Sequence, residues 1–323
     1  MTKVLEVGLT PGDRIGNYRV ERELGASGSG VLIQAHHLVL PRKAILKVIH
    51  PAFAGIQAHA LQTLREACIL EAIAHPGVPF IYESGVLKDR RPWFAFEAVG
   101  GVTLEELFAS GPASVPDVIG LARDLADILD HAHGRGVIHR ALRPDRVVVA
   151  VGRHHPLCIP DWSKAIAHDA TSQLPDIAPD GPGAYIAPEL ARSGARGARN
   201  LVDDRVDMFA LGVLAYRALT GSLPAAAARD AALHIAAVEL RPDAPRELVS
   251  IICSLLAENR FDRPSASELR TNLDWLLNEP SALQSEPAVE PLRWRRPRWT
   301  PFVGRLDTTD VDISVAEDEP ATQ

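Results

Sequence analysis

The chain has only three cysteines in 323 residues, Cys68, Cys158 and Cys253. They are too scattered for a disulfide framework, and no Cys-x-x-C spacing marks a zinc site. That usage suits a reducing cytoplasm, the compartment expected here. No run of about 18 apolar residues occurs, and no basic-then-apolar pattern opens the chain. Neither a membrane span nor a secretory signal is therefore read from it. Basic residues are not in surplus: 34 Lys and Arg stand against 41 Asp and Glu, a formal charge of −7. Nucleic acid is not expected as a partner on that balance. No internal repeat is visible. The chain does have the 46% hydrophobic and 23% charged composition of a globular protein, and enough length for a large core or two lobes.

Residues 1–17 read as a short leader. A strand begins at residues 18–23, the run Leu24-Gly-Ala-Ser-Gly-Ser-Gly30 reads as a turn, and residues 31–36 resume as a strand. No Gly-Lys-Ser/Thr is present and no helix follows at once, which excludes a P-loop. Residues 44–49 form an apolar strand interrupted by Lys47. Residues 57–74 have helical spacing, with Leu61, Leu64, Ala67 and Cys68 on the expected buried face. His75-Pro76-Gly77 ends that helix. Residues 78–85 and 92–99 read as two more strands, and Gly100-Gly101 marks a joint.

Up to residue 99 the chain is strand-rich with one helix; residues 100–279 are mainly helical. Thr103 and Ser114 are helix starts. Residues 211–219 are apolar nearly all round and predict a buried central helix, and residues 248–256 predict another. Ser265-Ala-Ser-Glu268 is a capping-box pattern before Leu269, Leu273 and Leu276. Periodicity stops near Glu279.

The most telling absence is a single carboxylate. Val137-Ile-His-Arg-Ala-Leu-Arg-Pro-Asp-Arg-Val-Val-Val149 has the layout of a His-Arg-Asp catalytic loop, but Ala141 stands where the Asp belongs. Around it the order strand, Gly-rich run, strand lysine, helix glutamate, Asp-aromatic pair, Ala-Pro-Glu and Asp-x-x-x-x-Gly resembles the protein kinase family, of the bacterial Ser/Thr type. The resemblance runs from Tyr18 to about Asn278. The many Ala, Arg and Pro residues fit a bacterium with a GC-rich genome.

The resemblance implies an α+β, two-lobed fold: a small antiparallel sheet lobe with one helix, and a larger mainly helical lobe. It also implies a nucleotide pocket. Gly25, Ser27, Gly28 and Gly30 would form the Gly-rich loop, with Ser27 on the family's second glycine. Lys47 would hold phosphates and pair with Glu66. Residues 94–99 would be the adenine hinge, with Phe96 as gatekeeper and Glu97 and Val99 at the ligand. Asp161, with Trp162 and Ser163, occupies the metal-binding segment. Glu189 would pair with Arg263, and Asp207 would brace His139 and Arg140.

The departures cluster at the reacting centre. A general base contributes about 10²–10⁴-fold to rate, and Ala141 cannot supply one. Arg143 replaces the family's loop lysine, and Arg146 replaces its metal-binding asparagine. Arg146 carries a charge that repels Mg²⁺ and is expected to reach toward Asp161. Ser163 replaces a glycine, and Pro182 replaces a threonine. The resemblance thus points to a degraded kinase, a pseudokinase acting as scaffold or allosteric switch, with ATP as ligand and Mg²⁺ not expected. The alternatives are an atypical active kinase, with Asp145 as the nearest other carboxylate, and a kinase-fold transferase of another group.

Residues 280–323 have a composition that is disordered when alone. Arg293-Trp-Arg-Arg-Pro-Arg-Trp299 reads as a docking segment, as an anionic-surface binder or as plain solvated tail. Thr309 fits a short phosphothreonine pattern. A protein partner is expected, of the kinase, phosphatase or phosphothreonine-reader class; a membrane is not.

Overall fold

The computed structural model describes residues 8–28, 30–167, 183–191, 203–225 and 230–278. Pro182, Thr309 and the arginine–tryptophan patch lie outside those residues.

Alternating burial along β2 (Tyr18–Ser27) and β3 (Gly30–His37) puts Tyr18, Val20, Val31, Ile33 and Ala35 on the inner face of one sheet. The sheet has six antiparallel strands in the order β1-β2-β3-β4-β6-β5, where β1 is Arg14–Ile15, β4 Lys43–Ile49, β5 Ile81–Val86 and β6 Pro92–Glu97. It starts earlier than the leader boundary at residue 17 implied, because Arg14 and Ile15 pair with Arg19 and Tyr18 and Ile15 is buried. The Gly-rich run is also less of a turn than its composition suggests. Ladder pairing continues through Gly25, Ala26 and Ser27, since the partner strand supplies hydrogen bonds that glycine does not refuse.

Helix α1 (Gln57–Ile73) packs on the sheet, but not by the face the apolar spacing indicated. Leu61, Leu64 and Cys68 face outward; Thr63, Glu66, Ala67, Ile69, Leu70 and Ile73 face in. A charged residue sits on the buried face because it has a charged partner there, which hydrophobic periodicity cannot register.

After β6 the chain turns at Gly101, whose φ is +154°. A Cβ there would stand 2.1 Å from the Val149 carbonyl oxygen, so only glycine passes. Below this joint, β7 (Gly101–Thr103), β9 (Val148–Ala150) and β10 (Leu157–Cys158) form a small sheet. Next comes α2 (Leu104–Phe108), which Thr103 and Glu106 close with a reciprocal capping box. Ser114 caps α3 (Val115–His133), accepting from the Asp117 N–H. A short pair, β8 (Val137–Ile138) with β11 (Ile166–Ala167), brackets the loop between them.

Helix α4 (Arg205–Thr220) is buried on nearly every side. Helices α3, α5 (Asp230–Leu240) and α6 (Arg246–Leu255) pack around it, and α7 (Ala266–Asn278), capped by Ser265 and Glu268, packs on α3 and α6. This is the α+β, two-lobed architecture that the motif order implied. One apolar cluster runs from α1 through α3 and α4 to α7, tying the lobes through a shared core.

Candidate functional site

A cavity of about 750 Å³ lies between the sheet and the helical lobe. Leu24, Leu32, Ile45, Phe96 and Val148 line its apolar part, and Val99 and Glu97 its hinge side. Trp162 does not fill it. That side chain is buried in the core, its indole N–H donates to the Ile159 carbonyl at 2.8 Å, and its ring meets His139 edge-on at 4.7 Å. Phe96 lines the cavity without closing it.

Lys47 projects from the middle of β4 into this space and is only 2% exposed. Its Nζ donates to Glu66 Oε2 of α1 at 2.6 Å and to Ser27 Oγ at 3.1 Å. Burial pushes the Glu66 carboxyl above its ordinary range, and the Lys47 ammonium pulls against that. Ser27 and Gly28 line the cavity; Gly25 and Gly30 do not. Gly30 instead makes room for the lysine stem, since a Cβ there would lie 3.0 Å from Lys47 Cγ.

The loop that closes the cavity from below is held from behind by Asp207. Its carboxylate accepts from the His139 N–H at 2.8 Å, the Arg140 N–H at 2.7 Å and the His133 ring at 2.9 Å. Burial works to raise the Asp207 carboxyl, but these donors outweigh it and hold the group below its usual value. Arg140 adopts φ +65° in this arrangement, a strain that the two hydrogen bonds sustain. His139 is buried; its Nε2 contacts the Asp161 carbonyl oxygen at 2.8 Å, which ties the loop to the segment carrying Asp161. Lower down, Arg263 reaches Glu189 with both terminal nitrogens, at 2.6 and 2.8 Å.

The reacting centre is built differently from this frame. Ala141 is buried and offers no polar atom beyond its backbone. Arg143 turns back on Asp145, donating to both carboxylate oxygens at 2.9 and 2.7 Å. Arg146 Nε lies 3.3 Å from Asp161 Oδ2. Burial would raise the Asp161 carboxyl, but Lys47, Arg146 and the Ser163 N–H, which donates to it at 3.0 Å, hold it well below the carboxylate range.

The Asp161 carboxylate thus faces two cations, Lys47 and Arg146. Among the described residues no group of three His, Cys, Asp or Glu side chains is placed to hold a metal ion.

Three contributors escaped the sequence reading. Lys164 lines the cavity beside Asp161. Gln62 of α1 donates to the Ser163 carbonyl at 3.0 Å, fixing the helix against the Asp161 segment. Arg153 pairs with Glu97 and donates to the Pro76 and Val78 carbonyls, which pins the hinge from outside.

The protein kinase domain family matches residues 18–276 of this chain. Over 270 residues the chain is 29% identical to serine/threonine-protein kinase pkn3 of Myxococcus xanthus, covering 78% of this chain and 48% of that protein. Over 240 residues it is 30% identical to serine/threonine-protein kinase PknJ of Mycobacterium tuberculosis, covering 73% and 39%. The chain thus spans less than half the length of these relatives. Among solved structures, the crystal structure of the Mycobacterium tuberculosis PknI kinase domain matches with a TM-score of 0.60 at 26% identity, over 83% of this chain and 98% of that domain.

Proposed function

The chain belongs to the protein kinase family, and from that premise we propose that it is a pseudokinase, a kinase fold kept as a nucleotide-responsive scaffold. One observation carries the reading: Arg146 contacts Asp161 at the place of the family's metal ion, while Ala141 leaves no carboxylate to accept a substrate proton. The retained frame supports a binding role. Lys47, Glu66 and the open cavity suit an adenine nucleotide, with the apolar lining for the base and the lysine for a phosphate. Bound nucleotide would hold the lobes in one relation and so display a surface to a protein partner. That partner is a kinase, a phosphatase or a reader of phosphorylated Thr309. The proposal places the protein in the cytoplasm, in keeping with its free cysteines. Among the described residues no helix is long and apolar enough to cross a membrane.

The second reading is an active, atypical Ser/Thr kinase using ATP and Mg²⁺. The names of the relatives favour it over the first, since they are serine/threonine-protein kinases. In this chain its candidate base would be Asp145, whose carboxylate Arg143 holds in a two-pronged pair. Incubation with labelled ATP and Mg²⁺ or Mn²⁺ separates the two. The pseudokinase reading predicts no incorporation above that of Lys47→Ala. Incorporation that disappears in Lys47→Ala establishes the active kinase.

A further inference from the structure

The four peptide carbonyls from Asp161 to Lys164 each accept a hydrogen bond, and three of the donors come from other elements. His139 Nε2 donates to the Asp161 oxygen at 2.8 Å, Gln62 Nε2 to that of Ser163 at 3.0 Å and Arg140 Nε to that of Lys164 at 2.9 Å. The fourth, on Trp162, accepts from the Ala165 N–H at 3.0 Å. Two amides of the segment are held as well. The Trp162 N–H donates to the Glu66 carboxylate, and the Ser163 N–H to Asp161 Oδ1 at 3.0 Å. Helix α1 thus grips two successive residues from one face, with Gln62 and Glu66 one turn apart. All of these partners belong to the chain itself.

The side chains add to this hold. Trp162 is buried in the core against the His139 ring. Ser163 is buried as well, and a Cβ on Gly28 would stand 3.6 Å from its Cβ, so the end of the Gly-rich run lies over it. Its φ is outside the left-handed region. Serine therefore fits without strain, and it has fewer alternative conformations than the family's glycine. Outward movement of α1 would strand the Ser163 carbonyl and the Trp162 N–H together, and a polar group left without its partner costs more than the bond contributes.

We infer that Gln62 is a positioning residue that acts through Ser163: it latches the Asp161 segment inward, so that α1 and the cavity floor move as one unit set by the chain's own contacts. The latch requires neither phosphate transfer nor a bound nucleotide, and so stands apart from both readings above. A nucleotide that enters the cavity meets a finished floor and reinforces it. Displacing α1 from outside would release Asp161, which couples the outer face of that helix to the cavity.

Hydrogen–deuterium exchange on the full chain without nucleotide tests this, read at the amides of Trp162, Ser163 and Ala165, along α1 and along α4. In the wild type the segment should be protected before any ligand is added. Gln62→Met keeps the side chain's length and helix preference but has no donor, so the segment should exchange about tenfold faster while α4 is unchanged. Ser163→Gly keeps every backbone bond and returns glycine's freedom, and it should speed exchange both in the segment and in α1 around Gln62. That reciprocal effect on α1 would not follow if Gln62 only packed the helix. A wild-type segment that exchanges freely until ADP is added overturns the latch, as does a Gln62→Met chain whose segment exchanges as in the wild type. Where Gln62→Met loosens α4 too, Ser163→Gly decides: faster exchange in both the segment and α1 supports the latch, and an unchanged α1 overturns it.

Discussion

Two regions of the same loop have been treated differently. Behind it, Asp207 satisfies two backbone N–H groups and a histidine, and nearby Glu189 and Arg263 form a buried two-pronged pair. In front of it, the groups that would do chemistry are an alanine, an arginine folded onto Asp145, and an arginine set against Asp161. The rear contacts hold shape whether or not a phosphate moves. The front positions are the ones where the chain departs from the family's motif, with Ala141, Arg143 and Arg146 in the places of an aspartate, a lysine and an asparagine. On the pseudokinase proposal, what persists is the part that preserves a binding cavity.

The contrast breaks first at its strong end. Glu189→Ala strands the Arg263 guanidinium, which is fully buried, and should cost about 3–5 kcal/mol. Urea unfolding measures this, and nucleotide affinity per folded molecule should stay unchanged. A loss under 1 kcal/mol, as for an exposed pair, would place Arg263 outside the frame.

Acid is the next largest lever, and it acts on the frame between the lobes. His75 is packed among His131, His155 and Asp127, with Arg270 also on Asp127. Burial lowers its pKa from 6.5 to about 4. The folded chain therefore favours the neutral ring. Stability from this group is full above pH 6.5 and is lost as pH falls through 4, by up to about 3 kcal/mol. Thermal unfolding of the wild type and His75→Gln across pH 4–7 checks the sign. The variant should lose part of that slope; an unchanged slope would assign the acid sensitivity elsewhere.

At the front of the loop the expected effects on stability are smaller. Arg146→Ala removes one contact to a carboxylate that Lys47 still faces, and should cost about 1 kcal/mol. NMR titration of Asp161 should show its carboxyl moving up toward the ordinary range. The smallest effect is expected from Ala141→Asp. It returns a carboxylate but leaves Arg146 and Arg143 in place, so labelled-phosphate transfer should remain at background. Activity restored by that one change would show that the centre lacks only its base.

Much of the frame was legible in the sequence because its parts are single residues at fixed places along the chain. Lys47, Glu66, Asp207, Glu189 and Arg263 meet the partners that the motif order assigns them. The α1 face was misread because its buried side includes Glu66 and Thr63, which an apolar count scores as surface. The glycine run was misread because strand pairing overrides its local preference for a turn. Gln62 and Arg153 gave no signal, since their partners lie 101 and more than 50 residues away and ordinary polar residues have no spacing to betray them. Lys164 was invisible for a related reason: only the folded chain brings it to the cavity wall.

The central claim is that Arg146 holds the place of a metal ion at Asp161. A crystal of the chain soaked with ATP and Mn²⁺, with anomalous data collected at the manganese edge, addresses it directly. The account predicts no manganese peak at the Asp161 carboxylate, and the Arg146 guanidinium still in contact with it. A manganese ion bound to Asp161, with Arg146 displaced, would contradict it.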